Sequence, residues 1–262
     1  MSAPESFSHY PSHPPPVRVS LHVSAPHACA YFADRKCTTR ALWTERADAK
    51  IYHRFMDAGF RRSGRILYQP VCAGCRLCQP LRVPVAEFAA SKSQRRAWRK
   101  NQDLIVSAAP PEPTPEKLAL YNKYRRLWHD STDEQTWEDF TSFLYDSPVD
   151  TIEVCYRDPT SHQILGVGIC DVAPESLSAV YFYFDPDHAD RRLGTFSALW
   201  EIETARRLGI PWYYLGFWVP GCRAMEYKAD FRPCEVLGTD GIWRRLEAAS
   251  ANEEGRSHTS DG

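Results

Sequence analysis

No stretch of this chain approaches the roughly 20 consecutive apolar residues that a membrane-spanning helix needs. The leading residues, MSAPESFSHYPSHPPPVRV, are rich in proline and lack the apolar core of an export signal. A membrane is therefore not expected as a partner, and the cytoplasm is the expected compartment. An excess of one charge is missing too: 32 Lys and Arg against 33 Asp and Glu leave a formal net charge of −1. Nine cysteines in a chain without an export signal point to reduced thiols and not to a disulfide framework.

What is present suffices for a proper core. The 262 residues are 43% hydrophobic and 25% charged, the make-up of an ordinary globular protein. The balanced total hides a local excess. Between residues 60 and 100, Arg61, Arg62, Arg65, Arg76, Arg82, Lys92, Arg95, Arg96, Arg99 and Lys100 stand against one acid, Glu87. On a helix, Lys92, Arg95, Arg96 and Arg99 fall at i, i+3, i+4 and i+7, hence on one face. Such a face is often no more than solvated surface. Two features raise a phosphate-rich partner above that reading. Arginine dominates and grips phosphate with a planar fork, and the interleaved Trp98 could stack on a base or lie under a guanidinium. A face of this kind follows a backbone without reading its sequence.

Along the chain, residues 1–19 read as a disordered lead and 250–262 as a flexible tail. One unit is expected over 20–106 and another over 112–245, joined through the proline-dense SAAPPEPTPEK of 107–117. ADAKIYHRFMDAGFRRSG predicts a helix with Ile51, Phe55 and Met56 as its apolar stripe and Gly59 as its stop. Residues 66–68 and 81–85 have strand character and flank Cys72, Cys75 and Cys78, spaced C-x2-C-x2-C. The second unit opens with two helical stretches, TPEKLALYNKYRRLW and TDEQTWEDFTSFLYD, each led by a threonine cap. Three runs rich in β-branched and aromatic residues follow: TIEVCY, QILGVGICDV and LSAVYFYF. Then come the helix RRLGTFSALWEIETARRLG, capped by Gly209, and the strand PWYYLGFWV.

Helix, helix, three strands, helix, strand indicates an α+β or mixed α/β fold. It is also the core order of GNAT-type, acyl-CoA N-acyltransferase-like folds. A CoA-dependent N-acetyltransferase is thus one reading, and a non-catalytic RNA-binding module another. Enzymes of the first kind cradle pyrophosphate on a Q/R-x-x-G-x-G/A loop at a helix N-terminus. RRLGTF offers Arg191 and Gly194 but puts the bulky Phe196 where the backbone should approach phosphate.

The longer motifs go further. They are GFRRSG (59–64), the cysteine stretch with Gln79 and Pro80, RVPVAEF (82–88) and SQRRAWRKNQDL (93–104). With DVAPESLSAVYFYFDPDHADRRLGTFSALWEIE, YYLGFWVPGC and YKADFRPCE, they resemble the bacterial leucyl-tRNA–protein transferases, relatives of the arginyl-tRNA–protein transferases. The similarity covers roughly residues 20 to 245, with the motifs in the family's order. The resemblance implies a GNAT-like catalytic lobe that moves leucine from Leu-tRNA to the α-amino group of proteins beginning with Asp or Glu. The new leucine marks them for degradation in the N-degron pathway. Arginine in place of leucine is the alternative. The implied partners are an aminoacyl-tRNA and such acidic-ended proteins, with no DNA, and no cofactor is required. Arg95, Arg96, Arg99 and Lys100 then become the tRNA grip. Lys228 would meet the tRNA 3′ end or the substrate's acidic residue, or simply lie on the surface.

Attack of a neutral amine on an ester needs the amine deprotonated, donors for the oxyanion, and a proton for the leaving 3′-oxygen. Asp171 ends an apolar strand, where an acid is costly unless it has a task or a partner. Asp185 ends the next strand, where capping a turn is the competing role. Tyr181 and Tyr183 alternate onto one strand face and either donate a phenol or pack. Gly216, inside a strand, suggests close approach of a backbone or ligand. Arg82, on an apolar strand, is the first candidate to read an acidic N-terminus, with Arg76 in reserve; pairing with Glu87 or service to tRNA are the alternatives for Arg82. Cys29, Cys72, Cys75 and Cys78 could form an all-thiolate zinc or iron–sulfur site, and eukaryotic relatives place a metal-binding cysteine set in this lobe. Phe32 stands where the second cysteine of their C-x2-C would be, so no metal is favoured. Cys155, Cys170, Cys222 and Cys234 read as small core residues.

Overall fold

A computed structural model describes residues 18–247; most of the expected disordered lead and all of the expected tail lie outside them. Six short strands come first: β1 (His22–Val23), β2 (His27–Ala28), β3 (Lys36–Cys37), β4 (Thr39–Trp43), β5 (Arg61–Ser63) and β6 (Ile66–Pro70). β2 and β3 form a hairpin, and the other four form a sheet in the order β1-β4-β6-β5. Helix α1 (Ala49–Asp57) starts where the Asp48 carboxylate accepts from the amides of Lys50 and Ile51. It ends at Gly59, whose φ of +86° suits glycine, so that Arg61 already lies in a strand.

The remaining strands are β7 (Gln79–Pro84), β8 (Ile105–Ala109), β9 (Thr151–Arg157), β10 (Ile164–Ala173), β11 (Ser176–Phe184), β12 (Trp212–Trp218), β13 (Glu235–Leu237) and β14 (Trp243–Arg245). They build one sheet in the order β14-β13-β7-β12-β11-β10-β9-β8. It takes strands from both sides of the connector at 107–117, and β7 sits between two strands from near the C-terminus. Helix α2 (Lys92–Lys100) opens on a capping box in which Ser91 and Gln94 satisfy each other's amides. Helix α3 (Pro115–Trp128) is capped by Thr114 as expected. The next helix, α4 (Trp137–Phe140), starts at Thr136 and not at Thr132, because Thr136 and Asp139 complete a capping box there; a π-turn over Thr141–Tyr145 extends it.

β9, β10 and β11 run antiparallel, and α5 (Leu193–Arg207) then carries the chain across to β12, parallel to β11. This mixed α+β order, helix, helix, three strands, helix, strand, is the expected one. The β11–β12 pairing covers only Ser176↔Trp212, Leu177↔Tyr213 and Ser178↔Tyr214. Past Tyr214 a bulge interrupts β12 before it resumes against β7 at Gly216↔Leu81. The parting of β11 from β12 is the opening around which the site is built.

Candidate active site

Strand alternation sends the two arginines of GFRRSG to opposite sides of β5. Arg62 goes to Asp171, donating from Nε to Oδ2 and from Nη2 to Oδ1, both at 2.7 Å. Tyr52 donates to Oδ2 at 2.6 Å and Thr151 to Oδ1 at 2.8 Å. Each carboxylate oxygen therefore holds two donors, and Asp171 is sealed at 0% exposure. The catalytic expectation for Asp171 is corrected on this ground: no lone pair is open to a substrate, and the carboxylate ties α1 and β5 to β10.

Asp185 is corrected likewise. It is buried, accepts from the amide of Asp187 at the start of a 3-10 turn, and pairs with Lys123 Nζ at 2.6 Å. Tyr183 is enclosed, its hydroxyl 3.4 Å from that of Tyr145, which donates to Glu153 at 2.8 Å. Tyr181 and Tyr183 do share a face, and both rings meet Tyr121 of α3 edge-on. They pack there without forming a centre with Asp171 or Asp185.

Arg82 does not present a free fork. It donates to Asp57 at 2.8 Å and to Glu235 at 2.9 Å. Its guanidinium lies over the rings of Trp212 and Trp243, 3.7 and 4.3 Å from their centres. Glu87, the partner considered for it, pairs instead with Arg245. Arg76 donates to the carbonyls of Cys72 and Cys75 and so staples the cysteine turn. The first candidate for reading an acidic terminus, Arg82, and its reserve, Arg76, are thus both engaged by other partners.

The other arginine of the pair, Arg61, reaches into the β11–β12 opening. Its Nη2 donates to the Ala179 carbonyl, while Nη1 is buried with no partner among the described residues. Lys228 approaches from the turn at Tyr227–Asp230. Gly216 makes room for both, with a φ of +99°; a Cβ there would lie 3.0 Å from Lys228 Nζ and 3.8 Å from Arg61 Nη2. Burial first, and the Arg61 charge second, pull the Lys228 amine down to about 7. Ser178, at the last β11–β12 pair, also has a buried hydroxyl without a partner among the described residues.

Beside this opening lies a cavity of about 230 Å³, walled by the β2–β3 hairpin, the cysteine turn and β12. Tyr31, Phe32, Tyr68, Leu77 and Phe217 supply its apolar wall, and neither Asp nor Glu lines it. Two of these residues join it to the opening: Tyr68 faces Arg61 across the β5–β6 pair, and Phe217 follows Gly216. Arg35, over the Phe32 ring at 4.6 Å, adds a cation. Cys29, Cys37, Cys72, Cys75 and Cys78 rim the cavity as free thiols. Cys37, absent from the candidate set, touches Cys72. Burial pushes its thiol up to about 11 and that of Cys78 up to about 12, so both are neutral near pH 7. Among the described residues no three His, Cys, Asp or Glu side chains are grouped to hold a metal ion. No step of the reaction is assigned to a metal at these thiols.

The basic run divides by environment. Arg61 and Arg62 are interior, Arg65 pairs with Asp146, and Arg82 is clamped. On α2, Lys92, Arg95, Arg96 and Arg99 are exposed. Lys100 is drawn to Asp190 at 2.6 Å. Trp98 is not a surface platform: it packs on Phe196 of α5, ring centres 5.3 Å apart, which corrects the expected stacking role. Arg61, Tyr68 and Phe217 were missed by sequence reasoning; the chain has several adjacent arginine pairs, and nothing local to GFRRSG marks one member as interior and unpaired.

Residues 27–96 match the family model described as arginine-tRNA-protein transferase, N terminus, and residues 116–238 match its C-terminal counterpart. An aspartate/glutamate leucyltransferase of Gluconobacter oxydans is 41% identical over 235 residues, covering 88% of this chain and 96% of that protein. One from Nitrosococcus oceani is 40% identical, with 87% and 96% covered, and one from Thiobacillus denitrificans 37%, with 91% and 100%. Among solved structures, FemX aligns at a TM-score of 0.41 and 9% identity, covering 69% of this chain and 63% of that one, a likeness too weak to bear on function. No helix of the described residues is long and apolar enough to cross a membrane. With both family models matched in order and relatives aligned along most of its length, the chain belongs to the arginine-tRNA-protein transferase family and is an aminoacyltransferase acting with aminoacyl-tRNA and protein substrates.

Proposed function

We propose that this protein transfers leucine from Leu-tRNA to the α-amino group of cytoplasmic proteins that begin with Asp or Glu, marking them for degradation. The observation that carries leucine over arginine is the cavity beside the strand opening. Its wall is aromatic and aliphatic, it has no carboxylate, and Arg35 would repel a guanidinium. A leucyl side chain gains by leaving water there, whereas an arginyl group would be desolvated without a counter-charge.

In the reaction the amine nitrogen bonds to the leucyl carbonyl carbon and the ester bond to the tRNA 3′-oxygen breaks. The proton given up by the nitrogen ends on that oxygen. Holding both reactants at the β11–β12 opening supplies proximity, and the exposed face of α2 offers cations for the tRNA backbone. Coenzyme A is less well served. Phe196 is buried against Trp98 at the helix start where its pyrophosphate would rest, and the preceding loop is tied to the α2 region through Arg191–Asp103 and Arg192–Ser93.

Purified protein given an Asp-initiated peptide with labelled Leu-tRNA, Arg-tRNA or acetyl-CoA in separate reactions tests the reading. Transfer from Leu-tRNA well above Arg-tRNA is expected. A preference for Arg-tRNA overturns the leucine assignment, and acetyl transfer alone restores the CoA enzyme. Salt-sensitive tRNA binding without turnover of any donor makes the chain an RNA-binding module.

A further inference from the structure

We infer that Arg61 and Lys228 form the seat for the side-chain carboxylate of the acceptor protein's first residue, and so set the preference for Asp and Glu. This rests on the proposed transfer reaction and names the residues that select its acceptor. Four Lys and Arg side chains are buried among the described residues: Arg61, Arg62, Lys117 and Lys228. Arg62 has Asp171 and Lys117 has Glu153. Among the described residues Arg61 and Lys228 pair with no carboxylate, and they stand side by side around Gly216. Elsewhere the protein balances its interior cations; here it leaves two together, mutually repelling.

An arginine cannot shed its proton to escape burial, so the unpartnered Nη1 of Arg61 is an unmet demand for an acceptor. Lys228 meets the same cost by holding its proton weakly. An oxyanion between them would satisfy both. Besides the tetrahedral oxyanion, which forms only in passing, the reaction brings two standing anions: the acceptor's carboxylate and the phosphate of the tRNA 3′ end. The carboxylate fits better because the seat adjoins the cavity assigned to the leucyl group. The amine of the same residue lies only two or three carbons from its carboxylate, and would come within reach of the ester. The two cations also divide the work of accepting Asp and Glu: the Arg fork is rigid, and the flexible Lys stem takes up the difference of one methylene. A neutral Asn or Gln side chain would leave both charges unbalanced, a stronger basis for rejection than shape.

Lys228→Met, Arg61→Lys and Arg61→Gln enzymes would be assayed with peptides beginning with Asp, Glu, Asn and Ala. KM for Leu-tRNA would be measured alongside, and tRNA-free peptide binding by calorimetry. Lys228→Met is expected to lower kcat/KM for the Asp peptide by about 30-fold or more, with the Asn rate and the Leu-tRNA KM little changed. Arg61→Lys, which keeps the charge, should retain more of the Asp preference than Arg61→Gln. An unchanged Asp-over-Asn ratio in the Lys228→Met enzyme overturns the seat. A rise in Leu-tRNA KM, with Asp and Asn rates falling together, gives the pair to the tRNA phosphate and also overturns it. If the wild-type protein transfers no leucine, the proposed function fails; the calorimetric Asp-over-Asn preference, lost in Lys228→Met, still decides the seat.

Discussion

Arg62 and Asp171 meet in a two-pronged ion pair, 2.7 Å at each prong, with neither side chain reached by water. They lie 109 positions apart in the chain, and Tyr52 joins them from α1. The neighbouring Arg61 has the opposite fate, buried with an Nη1 that finds no partner among the described residues. One strand thus supplies both the brace of the site and its open charge.

Asp171→Asn should destabilise the protein by about 3–5 kcal/mol, because it leaves the Arg62 charge buried and uncompensated. Urea unfolding measures the loss. Transfer at low temperature, where the variant is folded, should persist. A variant as stable as the wild type but unable to transfer would return Asp171 to the chemistry.

Replacing Arg95, Arg96 and Arg99 by alanine should weaken binding of any tRNA to a similar degree. The slope of log K against log salt should flatten by roughly one unit for each phosphate contact removed. Lys100→Ala should change the slope less, since Asp190 already engages that amine. An unaltered slope in the triple variant would leave α2 as solvated surface.

Lys228 gives a pH signature with a definite sign. Its amine sits at about 7 in the fold against 10.5 ordinarily, with Arg61 and Cys222 as the charged or titratable neighbours that act on it. Between those values the unfolded chain binds a proton that the folded one refuses, so stability rises with pH across the window. The cost is full below 7. Lys228→Met should therefore be the more stable protein at pH 6, by on the order of a few kcal/mol, with the gap closing toward pH 10. Unfolding midpoints across pH check this, and a constant gap would contradict it.

Gly216→Ala should cost about 1–2 kcal/mol through its φ of +99° and displace Lys228 Nζ, 3.0 Å from the new Cβ. Gly209→Ala is the control: it also has positive φ, but a Cβ there meets nothing within 4 Å. Both should lose stability, and only the first should lose transfer to the Asp peptide. Equal transfer by the two would detach Gly216 from the site.

Much of the fold was legible because its signals are local. Thr114 announces α3, Gly59 ends α1, and the β-branched and aromatic runs mark β9 to β11. The site was less legible because its logic is long-range. Arg61 and Arg62 are identical in sequence context, and only Asp171 on one side of β5 tells them apart. Arg82 on an apolar strand looked available, yet Asp57 and Glu235 close on it from both directions along the chain. Trp98 among cations looked like a stacking surface, whereas its partner Phe196 was noticed only as an obstacle to phosphate. Lys228 was read with two possible tasks, and nothing in EYKADF reveals that the amine is enclosed.

The place of β7 between β12 and β13 has a consequence for synthesis. The ribosome makes this strand early and its two neighbours late, so Leu81 and Val83, sealed at 1% and 0% exposure in the finished sheet, emerge long before anything can cover them. Such pairings across distant parts of a chain form slowly and leave apolar strand edges open meanwhile. A nascent chain that stops short of β12 holds the rim of cysteines and the arginines of β5 but neither Gly216 nor Lys228. The enzyme therefore has no half-made working form: the stretch from β12 onward supplies the keystone strands and the second cation together.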